Sequence, residues 1–120
     1  MSGEVADLRL DVEDAFLRVE QEGQISYPAI ATANVTAAAS QRVRYDASGG
    51  TFQIDAPASP VAGNRFGIKE VVGDVTAVTI SGNGNNIENL ATGDFVASFS
   101  LAQAKVGVEW EFDGTQWIIP

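Results

Sequence analysis

Val106, Val108, Trp110 and Phe112 alternate with Lys105, Gly107, Glu109 and Glu111, Asp113-Gly114 follows, and Trp117-Ile118-Ile119 comes after it. Strict alternation puts the apolar side chains on one side of an extended chain. An Asp-Gly pair between two such runs is among the strongest short-range signals for a β-hairpin. The same grammar, less cleanly written, recurs upstream. Residues 51–56 turn Phe52 and Ile54 inward, 65–69 Phe66 and Ile68, 77–81 Val78 and Ile80, 95–101 Phe95, Ala97, Phe99 and Leu101, and 41–46 Val43 and Tyr45. Short strands at roughly ten-residue spacing, joined by Gly, Asn, Asp and Pro turns, predict an antiparallel β-sandwich or barrel-like domain over 41–120.

The first residues follow a different period. Val5, Leu8, Val12, Ala15 and Val19 step by threes and fours, the spacing of a coiled-coil seam, so residues 4–22 are expected to form a helix that self-associates. Leu10 and Leu17, joined by Phe16, fall on the far side of that helix and predict a second, docking face. Such a helix would be about 28 Å long, too short to hold an oligomer together unaided. Valine at a with leucine at d leans towards parallel dimers. Gly23 is a natural stop. The expected fold class is therefore mainly β, a short N-terminal helix followed by the antiparallel domain. Residues 1–23 serve oligomerisation and attachment, and 24–40 form a linker, an edge strand or a segment exchanged with a neighbouring copy.

With 120 residues, 45% of them hydrophobic, the chain has room for one small core plus the helix. It contains no cysteine and no histidine, which removes thiol nucleophiles, disulfides, imidazole bases and the usual zinc ligands. Its formal net charge of -9 repels phosphate backbones and anionic membranes, so neither nucleic acid nor membrane is an expected partner. No apolar run is long enough to span a bilayer, and the acidic start lacks the pattern of a secretion signal; synthesis in the cytoplasm, without export by that route, is expected. Asn34-Val35-Thr36 has the form of a glycosylation sequon and reads instead as strand or loop.

Three groups of residues invite a chemical reading. The run 81–86, Ser-Gly-Asn-Gly-Asn-Asn, lacks the Lys-Ser/Thr of a phosphate loop and the acidic ligands of a calcium loop, and reads as a turn. Glu109 and Glu111 share one side of a strand, as an acid and base pair could, and read as solvated charge. Trp110 and Trp117 could stack on sugars; Trp110, in the inward stripe, reads as core. No enzyme, cofactor or metal centre is expected.

The runs 54–69 (IDAPASPVAGNRFGIK), 78–87 (VTISGNGNNI) and 109–117 (EWEFDGTQW) together resemble a β module recurrent in structural proteins of tailed bacteriophages, found in head fibres, decoration proteins and tail or neck fibres. The resemblance spans about residues 50 to 120 and contains no catalytic motif. It implies a virion surface module, commonly a homotrimer, attached to the particle through an N-terminal segment. The expected partners are further copies of the chain and the major capsid protein or another virion protein. The leading expectation is a capsid decoration (cement) or head-fibre subunit at the virion surface, its oligomer joined by Val5, Leu8, Val12, Ala15 and Val19 and docked by Leu10, Phe16 and Leu17. The alternative is a tail or neck fibre module that contacts host-surface glycans.

Overall fold

From Val35 onward the chain passes back and forth between two facing β-sheets. The computed structural model describes residues 29–120, which hold β1 (Val35–Thr36), β2 (Gln41–Tyr45), β3 (Gln53–Asp55), β4 (Arg65–Glu70), β5 (Val78–Ser81), β6 (Asn86–Glu88), β7 (Phe95–Val96), β8 (Ser98–Leu101), β9 (Gly107–Phe112) and β10 (Gln116–Ile118). One sheet runs β1-β3-β5-β8 and the other β2-β4-β9-β10-β6-β7.

The expected helix-plus-antiparallel fold is corrected. The described residues are all β, with no helix among them, and both sheets are mixed. The helix expected over residues 4–22 lies outside the described residues. β1 with β3, β3 with β5, β2 with β4 and β6 with β10 pair in parallel. Parallel neighbours need a crossover, usually a helix. In the first three of these pairs the crossover is a single strand of the opposite sheet: β2 links β1 to β3, β3 links β2 to β4, and β4 links β3 to β5, whereas β6 reaches β10 through β7, β8 and β9. The result is a flattened coil. Alternation fixes which side of a strand faces inward and says nothing of its neighbour's direction, which is why the strand positions were readable and the pairing was not.

The predicted hairpin is present as β9 and β10, with Trp117 opposite Phe112. It is inserted between β4 and β6, antiparallel to β4 on one side and parallel to β6 on the other. Its turn is held by Asp113, whose Oδ1 accepts the backbone N–H groups of Thr115 and Gln116 at 2.8 and 2.9 Å. The run 95–101 departs from expectation. It breaks at Ala97, so β7 joins β6 in one sheet and β8 joins β5 in the other, leaving Phe95 and Ala97 exposed while Phe99 and Leu101 are buried.

One apolar cluster fills the space between the sheets. Ile54, Ile80 and Phe99 lie opposite one another across β3, β5 and β8, and Val43, Ile68 and Val108 do so across β2, β4 and β9. Phe66 ties the halves together: its ring stacks on Trp110 with centroids 5.2 Å apart and meets Trp117 edge-on at 5.0 Å. Phe99 of the facing sheet tilts against Trp110 at 6.2 Å. Such aromatic pairs add about 0.5–1.5 kcal/mol each beyond the area they bury.

The inward stripe of β4 ends in a charged residue. Glu70 is 1% exposed, and its carboxylate accepts the N–H groups of Gly73 (2.7 Å), Lys105 (2.8 Å), Asp74 (3.0 Å) and Val72 (3.3 Å). Burial alone would raise its pKa, but the four donors together outweigh it and hold the group at about 2. One side chain thereby fastens the β4–β5 loop to the β8–β9 loop. Tyr45, its register partner on β2, is pushed up to about 12 by burial and by the Glu70 charge.

Candidate functional site

The outward positions of β2 and β4 carry Arg42, Arg44, Arg65 and Lys69, because the inward ones are taken by Val43, Tyr45, Phe66, Ile68 and Glu70. Lys105 reaches the same end of the sheet and donates from Nζ to the Val71 carbonyl at 2.8 Å. These five are all the lysines and arginines of the described residues. The described part of a strongly acidic chain thus gathers its cations on one side of one sheet, beside the outward carboxylates Glu109 and Glu111.

The floor of this face is flattened by glycine. Gly67 lies between Arg42 and Glu109 in one cross-strand row, and Gly107 lies beside Lys69 in the next. A Cβ at Gly67 would stand 3.1 Å from the Val108 carbonyl oxygen and 3.8 Å from Arg42 Cζ; one at Gly107 would stand 3.4 Å from Lys69 Cδ and 3.9 Å from Arg42 Nη1. The Arg42 side chain therefore crosses β4 over a surface with no side chains of its own. Beside it opens a cleft of about 190 Å³ lined by Ser40, Gln41, Arg42, Arg65, Gly67 and Glu109, with Phe66 beneath.

The cations differ in their partners. Arg65 donates to Glu111 Oε1 at 2.9 Å and lies 3.9 Å from Glu109 Oε2. Lys69 donates to the Lys105 carbonyl at 2.6 Å. The Arg42 side chain has no hydrogen bond or ion pair among the described residues. Around the cleft, a guanidinium fork is thus presented beside a carboxylate, Ser40 and Gln41, whose Oε1 already accepts the Ala38 N–H at 2.8 Å.

Glu109 and Glu111, weighed as an acid and base pair, are partly exposed partners of Arg65. Trp110 and Trp117 are fully buried and offer no stacking surface. In the run 81–86 the chain reverses through Asn83 and Gly84, both at positive φ. Gly82 is required by crowding, since any Cβ there would collide with the Asn85 carbonyl. Asn83 Nδ2 donates to the Ala56 carbonyl at 2.9 Å, so this turn braces the coil. Asn34 is also structural, accepting the Gln53 N–H at 2.8 Å. The self-association positions Val5, Leu8, Val12, Ala15 and Val19 and the docking positions Leu10, Phe16 and Leu17 lie outside the described residues. The basic face was missed. Its signal was the Arg-Val-Arg-Tyr alternation of β2 and the outward Arg65 and Lys69, but a pattern within one strand cannot show that β2 and β4 are neighbours.

No protein-family model matches the chain, and no curated protein is significantly similar to it.

Proposed function

We propose that the protein is a non-enzymatic structural protein of a bacteriophage virion, a capsid decoration (cement) or head-fibre subunit that attaches to the capsid as a homo-oligomer and projects its β domain outward. The observation that carries this reading is how the chain enters the coil. Ala31 donates to the Arg44 carbonyl at 2.8 Å and accepts the Asp46 N–H at 2.9 Å, so the chain joins the sheet as a further parallel partner of β2. A load applied through the N-terminal segment passes into the two hydrogen bonds of this bridge, which suits a domain held on a particle by that segment. Many weak copies on one shell would attach through avidity, with apolar burial at about 25 cal/mol per Å² before association costs.

The test is to find the chain on purified virions of the phage that encodes it and to measure its native mass when free. The expected results are a stoichiometric virion protein, an oligomer in solution, and release by Leu10→Asp with Leu17→Asp. Virions lacking the chain would end the proposal, as would a monomer whose attachment ignores that double substitution.

A further inference from the structure

We propose that the cleft over Gly67 binds a small polyhydroxylated carboxylic acid of the uronic-acid kind, with its carboxylate on Arg42 and its hydroxyls towards Glu109 and Ser40. The inference stands on the cleft and is independent of any place on a virion.

Three observations define the ligand. First, the Arg42 side chain is a planar fork of donors with no hydrogen bond or ion pair among the described residues, lying against a glycine floor that lets a ligand approach the sheet closely. A carboxylate is the group that such a fork receives with two parallel hydrogen bonds. Second, Glu109 sits across Gly67 from Arg42 in the same row. It disfavours a dianion such as phosphate or sulfate, and equally a ligand with a second acidic group. A carboxylate can only accept hydrogen bonds, so the part of the ligand that meets Glu109 must donate, as a hydroxyl does. Arg65 is held at 2.9 Å by Glu111 and lies 3.9 Å from Glu109. Third, about 190 Å³ is below the range of ordinary drug-sized pockets, and accommodates one small ring. One acid and several hydroxyls on a compact ring describe a sugar acid, whereas an acidic peptide side chain brings the charge without the hydroxyls.

The test is a titration of the full chain with sodium glucuronate, glucose, acetate or a short oligoglutamate peptide at equal ionic strength, followed through backbone amide signals. Glucuronate is expected to shift the Arg42, Gly67 and Glu109 signals saturably with a Kd of about 1 mM, and glucose and acetate to bind at least about tenfold more weakly. Arg42→Gln should weaken glucuronate by about tenfold or more, and Glu109→Gln should bring glucuronate and acetate closer together. Both side chains point outward, and unchanged signals outside the cleft verify that the variants fold. The proposal is overturned if glucuronate causes no saturable shift at these residues. It is overturned equally if acetate matches glucuronate, if oligoglutamate binds more tightly, or if Arg42→Gln binds as well as the parent chain.

Discussion

The coil formed by β1 to β5 and the hairpin formed by β9 and β10 share one core but are specified in different ways. In the hairpin, partners such as Phe112 and Trp117 are close in sequence, and the turn between them is set by one aspartate. In the coil, Val43 pairs with Ile68 and Ile54 with Ile80, each across a strand that belongs to the other sheet. Local chemistry can dictate the first arrangement. The second exists only when both sheets are in place, since loop-closure entropy must be met before such distant contacts form.

The two regions should nevertheless unfold together, because Phe66 of the coil stacks on Trp110 of the hairpin and meets its Trp117 edge-on. Trp110→Ala should have the largest effect, a loss of about 4 kcal/mol, since it empties the centre of that contact. Ile80→Ala, in the middle of the coil, should cost about 3 kcal/mol. Urea unfolding monitored by far-ultraviolet circular dichroism and by tryptophan fluorescence should give coincident transitions for both variants. Separate transitions would break the comparison by showing two cooperative units.

Glu70→Gln comes next, at about 2 kcal/mol near neutral pH, because four N–H groups lose a charged acceptor. Its pH dependence has a definite sign. Glu70 is held at about 2, below its ordinary value of 4.5, so its contribution is complete above pH 4.5 and disappears as pH falls towards 2. Urea midpoints of the parent and the variant should converge over that interval. A gap that stays constant down to pH 2 would contradict the role assigned to the carboxylate. Smallest of all is Arg65→Ala, within about 0.5 kcal/mol, since its ion pairs are half-exposed at the surface. A larger loss in urea unfolding would mean that the outer face takes part in holding coil and hairpin together.

Legibility followed the same division. The hairpin and the inward positions of β2, β3, β4 and β5 could be read from alternation, because period-two burial is a local property. Parallel pairing could not, and neither could the break at Ala97, where an apparently continuous strand splits between sheets. β6 was missed, since Asn86–Glu88 offers only Ile87 as an apolar residue, although that residue is fully buried. Glu70 was indistinguishable from a solvated glutamate, because its donors come from loops distant in the chain. The cleft failed to appear for a related reason: Arg42, Gly67 and Glu109 form one row through two pairings, neither of them adjacent in sequence.

Ala31, on the edge of β2 away from β4, begins the same parallel stacking that β4 continues. Winding that alternates between two faces is additive, so duplicating one turn would lengthen the domain along its stacking direction while the C-terminal hairpin stayed where it is. Length in such an architecture can therefore evolve by tandem duplication, with no redesign of the aromatic centre.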